Sequence, residues 1–284
     1  MLFRLLPLLA KELFLPSNFL RRPEPEMVMR DHIGVAAYDT EGKEGVLLGV
    51  YYYHLIQMCG IIKPGDTVID LGCGPCNLLC ILAELNPECQ FIGIDLSSEM
   101  LAIAHKNITQ KKIKNIQLLN QDITYIKEIT AGSIDVAISS MTIHHLPNET
   151  VLEHLFAEIK RILKPKQRFY LYDFGKVKRT ETIDFFLTPV NNGFVKEDYY
   201  NSLRAAFTRP LFSTLTQKYL GQSAQFYSTR FAPLIVVIKS ESSPLAEAHK
   251  TCFRVMLDSL NKQQKDDFQT LKLFLLLSGL RSLL

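Results

Sequence analysis

Short apolar runs alternate with amphipathic segments along the middle of the chain. The runs are rich in β-branched residues, as expected of buried parallel strands. Between them, apolar residues recur at helical spacing, most clearly in residues 77–85. Strands that alternate with helices in this way predict an α/β fold with a mostly parallel sheet. The first two predicted strands lie at 67–71 and 91–94, and residues 224–232 and 233–239 are predicted to form a closing antiparallel pair.

The first predicted strand ends in a glycine turn that two acids flank. Asp70 precedes Gly72 and Gly74, and Asp95 ends the next apolar run, 25 residues after Asp70. The glycines permit a tight turn and close approach of backbone to a ligand. The helix that follows offers unpaired N–H groups, which favour a carboxylate or phosphate. Asp95 would lie where a carboxylate accepts hydrogen bonds from ribose hydroxyls. An ordinary glycine turn, with Asp95 capping the next helix, is the simpler alternative.

The details of the turn favour a methyl donor over a dinucleotide. Asn77 stands where a G-x-G-x-x-G fingerprint has its third glycine. Residues 70–76 (DLGCGPC) resemble motif I of the class I S-adenosylmethionine-dependent methyltransferases, and residues 94–101 (IDLSSEML) resemble their ribose-binding segment. Further ordered resemblances lie at 120–123 (adenine), 134–140 (fourth strand), 142–147 (the loop after it) and 163–174 (fifth strand). Residues 22–29, 36–38 and 197–207 resemble a bacterial subgroup without an assigned substrate.

The resemblance implies a fold and a division of the chain. We expect a seven-stranded, mostly parallel Rossmann-like sheet with an antiparallel closing strand, helices on both faces, and helical additions at both ends. Residues 1–60 would form an N-terminal helical lid that includes a helix over 43–60. Residues 61–240 would form the methyltransferase domain, with a substrate cap at 175–222, where no strand pattern is visible. Residues 241–284 would form a C-terminal helical extension.

The resemblance also implies which residues bind the donor. The ribose would bind Asp95, and the adenine amino group would bind Asp122. The methionine end would bind the backbone of the glycine turn. The full predicted set is Asp70, Gly72, Cys73, Gly74, Asp95, Leu96, Met100, Asp122, Ile123 and Ser139.

The acceptor side is less defined by the sequence. His144, His145 and Asp173 follow the fourth and fifth strands, at the sheet edge where α/β proteins bind ligands. Histidine has a suitable pKa for removing a proton from an O or N acceptor. These three residues are catalytic candidates, although capping and packing also explain the histidine pair. The candidates for the acceptor pocket are Tyr38, Tyr199, Tyr200 and Arg204, and packing alone could explain the tyrosines.

The cysteines raise two further questions. Cys76 stands where the family usually has glycine, and its side chain is expected to crowd the methionine end of the donor. The spacing of Cys73, Cys76 and Cys80 also suggests an iron–sulfur or zinc site. The glycine turn and its helix already account for these positions, so we expect reduced thiols and no metal.

Composition is compatible with an enzyme that acts in the cytoplasm. The net charge of +3 over 284 residues gives no electrostatic reason to expect a nucleic acid partner. Residues 1–20 are leucine-rich but interrupted by Pro7 and Pro16, and residues 271–284 are too short to span a bilayer. We expect no membrane span. Peripheral membrane contact through the last segment and a homodimer both stay open.

We therefore predict transfer of a methyl group from S-adenosylmethionine to a small apolar or aromatic molecule. An RNA or protein methyltransferase and a non-catalytic donor-binding protein are alternatives. A nicotinamide-dependent oxidoreductase is a third, which Asn77 disfavours. The sequence names neither the acceptor nor its attacking atom.

Overall fold

The computed structural model describes residues 2–25, 32–190 and 192–284. Side chains are described from residue 6 onward in these ranges, apart from those of residues 32 and 33. Residues 26–29 of the subgroup motif and Asn191 of the predicted cap lie outside the described residues.

A seven-stranded sheet with the order β3-β2-β1-β4-β5-β7-β6 forms the centre of the molecule. Only β7 runs antiparallel to its neighbours, β5 and β6. The predicted sheet and its antiparallel closing strand are confirmed. The strands are β1 Thr67–Leu71, β2 Gln90–Asp95, β3 Ile116–Asn120, β4 Ile134–Ser140, β5 Leu163–Phe174, β6 Gln225–Ser228 and β7 Ile235–Lys239.

Eleven α-helices in the described chain surround this sheet. Three precede it: α1 Leu2–Phe14, α2 His32–Glu44 and α3 Leu48–Cys59. Six lie between strands: α4 Asn77–Leu85, α5 Ser98–Gln110, α6 Glu149–Ile162, α7 Thr180–Phe186, α8 Gly193–Ala205 and α9 Arg209–Leu215, which a π-helical turn Thr216–Leu220 extends. Two follow the sheet: α10 Glu247–Ser259 and α11 Lys262–Leu276.

The period of two along β1 separates two apolar cores. Val68 packs into the core that α3, α4 and α11 cover. Ile69 and Leu71 point to the opposite face, into the core that α6 and α9 cover. Because both faces are buried, the strand reads as a continuous apolar run rather than an alternating one.

One expectation about the helices is corrected. The helix expected over 43–60 is two helices, because α2 ends at Glu44 and α3 begins at Leu48. The stretch 175–222, which the sequence predicts as a cap, is mostly helical. In its second half, α9 and the π-helical turn pack with α6 on the core that lies on the other face of the sheet. In the described part of the chain, none of the helices combines the length and the apolar character that a membrane crossing needs.

Candidate functional site

A cavity, called here the first cavity, opens at the carboxyl ends of the parallel strands. This is the edge where the strand order reverses between β1 and β4, the usual ligand site of open α/β sheets. Its lining joins the glycine turn, the ends of β2, β4 and β5, and parts of α2, α3 and α8. The lining residues are Tyr38, Tyr51, Gly72, Gly74, Asp95, Leu96, Ser97, Met100, Asp122, Ile123, Met141, Thr142, His144, His145, Leu146, Phe174, Asp198, Tyr199 and Ser202.

The glycine turn is fixed to the end of the neighbouring strand. The backbone N–H groups of Gly72 and Cys73 donate to the Ile94 carbonyl at 2.8 and 2.9 Å. Gly72 has φ = +82°, and a Cβ there would lie 2.1 Å from the Thr142 Cγ2 atom. Glycine is therefore required at Gly72 on both conformational and steric grounds.

Asp70 lies beneath the turn and is almost fully buried, with 2% of its surface exposed. Its Oδ1 atom is buried and has no hydrogen-bond partner in the described structure. Burial, together with the nearby negative charge of Asp95, raises the pKa of Asp70 to about 7. A buried carboxyl oxygen without a partner carries a desolvation cost, which a cationic or hydrogen-bonding ligand group would offset.

Two other carboxylates, those of Asp95 and Asp122, line the first cavity. The Asp95 carboxylate accepts hydrogen bonds from the backbone of Gly74 at 2.8 Å and of Ser97 at 2.9 Å. Each carboxylate oxygen has two acceptor sites, so Asp95 can accept more hydrogen bonds from a ligand. Asp122 is held by Thr124, whose N–H and hydroxyl both donate to Oδ1, at 2.8 and 2.7 Å.

At the other end of the cavity, a buried carboxylate orients His144. Asp173 Oδ1 lies 2.7 Å from His144 Nδ1, and Oδ2 accepts the backbone N–H of Ile143 at 2.6 Å. Burial alone would lower the pKa of His144, but the charge of Asp173 and its hydrogen bond, with the charges of Glu24 and Asp198, raise it. The pKa of His145 is instead lowered well below its usual value by burial and by the neighbouring His144. The pair thus contains one basic and one neutral imidazole.

Glu24 reaches the histidines from the N-terminal segment. Its Oε1 atom accepts a hydrogen bond from the Ser202 hydroxyl at 2.7 Å and lies 3.9 Å from His144 Nε2. The Arg21 guanidinium secures this segment by donating to four backbone carbonyls, those of His144, Leu146, Pro147 and Ala205. Glu24, His144 and His145 each offer one atom that can bind a metal ion, and these three atoms lie within 4.8 Å of one another. The three side chains could therefore hold a cation.

Three tyrosines form another part of the wall. Side-chain hydrogen bonds link Tyr51 to Tyr38 and Tyr199. Burial raises the pKa of all three phenols, so they are neutral hydrogen-bonding groups near pH 7. These tyrosines are therefore an uncharged aromatic part of a lining that also contains the carboxyl group of Asp198.

Several predicted residues do not line the first cavity. Asp173 lies behind His144. Ser139 donates to the Leu71 carbonyl at 2.8 Å and so joins β4 to β1. The Cys73 side chain points toward Gly93, where an added Cβ would lie 2.9 Å from its Sγ atom. The cavity lining also does not include Asp70, Tyr200 or Arg204.

The positions of Tyr200 and Arg204 follow from the helical period. Asp198, Tyr199 and Ser202 share the face of α8 that lines the cavity. Tyr200 and Arg204 are four residues apart on a different face, where Arg204 Nη1 lies 3.4 Å from the Tyr200 hydroxyl. The sequence does not specify which face of α8 is turned toward the cavity. It therefore could not show that Tyr199 lines the cavity and that the adjacent Tyr200 does not.

Other lining residues were missed by sequence reasoning. Met141, Thr142 and Phe174 directly follow or end strands, so the strand-end rule that selected His144 could have found them. Glu24, which accepts from the lining residue Ser202 without itself lining the cavity, lies in the 22–29 motif, for which the sequence indicates no role. The sequence offers no signal for Tyr51 and Asp198, because their placement depends on how α3 and α8 pack.

Cys76 has a backbone conformation that explains why glycine suits its position. It lies in the left-handed region at φ = 60° and ψ = 26°, just before α4. Its side chain is fully buried in the apolar core and does not line the first cavity. The buried position of this side chain does not support the expectation that it crowds a bound donor. All six cysteines are free thiols.

We expect Cys76→Gly to change the free energy of unfolding by no more than about 1 kcal/mol, because relief of the left-handed conformation offsets loss of the buried thiol. Cys76→Val should lose about 2 kcal/mol or more, since a β-branched residue strongly disfavours positive φ. Urea unfolding of both variants measures the difference. Equal destabilisation of the two variants would show that the backbone conformation is not the constraint.

Comparison with known proteins identifies the family. A family model described as "Methyltransferase domain" matches residues 62–206. An arsenite methyltransferase of Halobacterium salinarum is 30% identical over 114 residues, which are 39% of this chain and 28% of that protein. Phosphoethanolamine N-methyltransferase 2 of Caenorhabditis elegans is 31% identical over 58% of this chain and 38% of its own. The chain thus spans well under half the length of these two relatives.

A solved structure has the same fold. The plantazolicin methyltransferase BpumL, in complex with SAH, superposes with a TM-score of 0.57 over 80% of this chain and 84% of its own, at 16% identity. The strand order β3-β2-β1-β4-β5-β7-β6 and the glycine turn agree with the family match. The chain belongs to the class I S-adenosylmethionine-dependent methyltransferases.

Proposed function

We propose that this protein transfers a methyl group from S-adenosylmethionine to a small apolar or aromatic acceptor. One observation carries the proposal: a single cavity contains the glycine turn, Asp95 and Asp122 at one end and His144, oriented by Asp173, at the other. Donor-binding groups and a basic imidazole are thus brought together by the ends of different strands. Membership of the methyltransferase family supports the same function.

The residues around the turn fit the donor. The unpaired Oδ1 of Asp70 suits the ammonium of its methionine end, and the left-handed turn at Gly72 and Gly74 gives the room that this end needs. Asp95 would accept the ribose hydroxyls and Asp122 the adenine amino group. When bound, S-adenosylmethionine supplies an electrophilic methyl group on a positively charged sulfur. The remaining predicted contacts to the adenosine part come from Leu96, Met100 and Ile123, which all line the cavity.

The acceptor would be aligned and deprotonated by the histidine end of the cavity. Asp173 holds His144 Nδ1, so the proton on that atom is fixed and Nε2 is left to accept a proton from the acceptor. Alignment of the acceptor with the methyl group and exclusion of water would supply much of the acceleration. Asp173 acts through His144 and is a positioning residue. We propose that the N-terminal segment and α8 act as the lid over this end.

The aromatic and apolar side chains of the lining support an apolar or aromatic acceptor. Tyr38, Tyr51 and Tyr199 present phenol rings, and Met141 and Phe174 add apolar surface. The charged groups at this end, Asp198 and Glu24, are negative and lie near His144. The net charge of +3 gives no support for an RNA acceptor, although a tRNA (guanine-N(7)-)-methyltransferase of Clostridium kluyveri is 27% identical over 58% of this chain. The non-catalytic alternative loses its main argument, because Cys76 does not enter the cavity.

The proposal can be tested by label transfer. Protein, methyl-labelled S-adenosylmethionine and fractionated cell extract are incubated together, and mass spectrometry traces the label. We expect label in a small molecule of the organic-soluble fraction. Label found in RNA or protein would replace the proposed acceptor class. Donor binding without any labelled product would favour the non-catalytic alternative.

The raised pKa of Asp70 gives a pH-dependent donor affinity. The ionised carboxylate would pair with the donor ammonium, and in the free protein this group has a pKa of about 7. Below that pH the carboxyl is protonated, so affinity for S-adenosylhomocysteine should fall by up to about tenfold per pH unit between pH 7 and 5. Calorimetric titrations across this range measure the slope. Asp70→Asn should bind more weakly and without this slope, and an unchanged slope in that variant would assign the titration to another group.

A further inference from the structure

A second cavity adjoins the first and has a different lining. Its volume is about 460 Å³, within the range of small-molecule sites. Met141, Phe174 and Tyr199 line both cavities, so the two meet at the end that holds His144. No residue of the glycine turn, nor Asp95 or Asp122, lines the second cavity.

The second cavity is walled mainly by apolar side chains from separate parts of the chain. They come from the N-terminal helices, α7, α8, the residues around the start of β7, and α11. The apolar set that is not shared with the first cavity is Leu9, Val46, Leu47, Val50, Phe185, Phe186, Leu187, Pro189, Val190, Leu203, Ala232, Leu234, Ile235, Leu271 and Phe274. The polar residues of the second cavity do not line the first cavity. They are Thr188, Thr229, Arg230, Gln263, Asp267 and Thr270.

The second cavity opens to solvent, because lining residues such as Thr188, Pro189 and Arg230 are exposed. Most of its remaining wall is apolar. A concave, mainly apolar space with a few polar groups at its edge is the usual form of a small-molecule site. An apolar ligand is the occupant that matches such a lining. The shared residues place one end of that ligand beside His144.

We propose that the methyl acceptor is an amphiphile with one apolar chain, and that the second cavity binds this chain. The mainly apolar lining of the second cavity suits such a chain, and its polar residues suit a solvated end. The reactive group of the acceptor would lie at Met141, Phe174 and Tyr199, within the reach of His144. This inference rests on the methyltransferase function proposed above and specifies its substrate class.

The test uses 1-alkanols of six to twelve carbons as probes of the 284-residue protein loaded with S-adenosylhomocysteine. Affinity should rise about fourfold per methylene, the factor that corresponds to about 0.8 kcal/mol per buried CH₂. Val50→Trp fills part of the second cavity, and Ala232→Leu is a milder filling variant. Leu273→Trp is the matched control, because Leu273 is exposed on α11 and lines neither cavity.

We expect both filling variants to lose at least tenfold in dodecanol affinity and much less in hexanol affinity, while Leu273→Trp binds like the parent. S-adenosylhomocysteine affinity, measured on every protein, should stay constant and confirms that the variants are folded. Affinities that do not depend on chain length, or an equal loss in Leu273→Trp and Val50→Trp, would overturn the inference. Binding that appears only as the protein dimerises would assign the cavity to a second copy of the chain. Failure of the parent to bind S-adenosylhomocysteine would instead contradict the proposed function.

Discussion

Replacing His144 by glutamine should lower the rate of methyl transfer by about 10²- to 10⁴-fold, the usual contribution of a positioned general base. The glutamine amide can still contact Asp173, whose carboxylate now lies 2.7 Å from the imidazole, but it cannot accept a proton near pH 7. Donor affinity should be unchanged, because Asp95, Asp122 and the glycine turn lie at the other end of the cavity. The measurement is initial-rate transfer of labelled methyl to the organic-soluble acceptor, alongside calorimetry with S-adenosylhomocysteine.

The pH profile distinguishes this role from a packing role. A base must be neutral to accept a proton, so the rate in the parent should rise with pH through the raised pKa of His144. Asp173→Asn removes the main charge that raises that pKa, so the rising limb should move to lower pH. His154→Gln on the exposed face of α6 is the matched control and should behave like the parent. An unchanged rate in His144→Gln would remove this residue from the mechanism.

Asp95→Ala should weaken S-adenosylhomocysteine binding by about ten- to a hundredfold, equivalent to about 1–3 kcal/mol. The variant removes the acceptor proposed for the ribose hydroxyls, and it also frees the Gly74 and Ser97 N–H groups that the carboxylate now holds. The turn that surrounds the methionine end would loosen as a result. Calorimetry at pH 8, where Asp70 is mostly ionised, measures the loss without interference from that titration.

Two further variants separate the two effects of Asp95. Asp95→Asn keeps a carbonyl oxygen that can accept from Gly74 or Ser97, so its loss should be smaller than that of alanine. Asp258→Ala, on the exposed surface of α10, is the control for removal of an aspartate and should bind normally. Equal affinity of Asp95→Ala and the parent would show that Asp95 does not hold the ribose.

The end of the first cavity that we propose for the donor could be predicted from the sequence, because its signals are local. Gly72, Asp95 and Asp122 each belong to a short segment that follows its own strand, and parallel strands bring such segments to one edge. The backbone of each segment fixes where its side chain lies. Glycine is needed at position 72 because the tight turn has φ = +82° there, and because a Cβ would collide with Thr142.

The acceptor half depends on tertiary packing and was predicted only in part. His144 and Tyr199 were found, but the sequence could not show that Asp173 is behind His144 or that Tyr200 and Arg204 face away from the cavity. Local periodicity defines a helix without fixing its rotation about its own axis. The second cavity was missed for the same reason, because its wall is assembled from helices that lie far apart in the sequence.

A crystal structure with S-adenosylhomocysteine tests the central claim most directly, namely that the first cavity holds the donor with its methyl-bearing end turned toward His144. We predict the ribose at Asp95, the adenine at Asp122, the ammonium at Asp70, and the sulfur facing the junction formed by Met141, Phe174 and Tyr199. A sulfur atom that faces bulk solvent, or a ligand bound away from Gly72 and Gly74, would contradict the account.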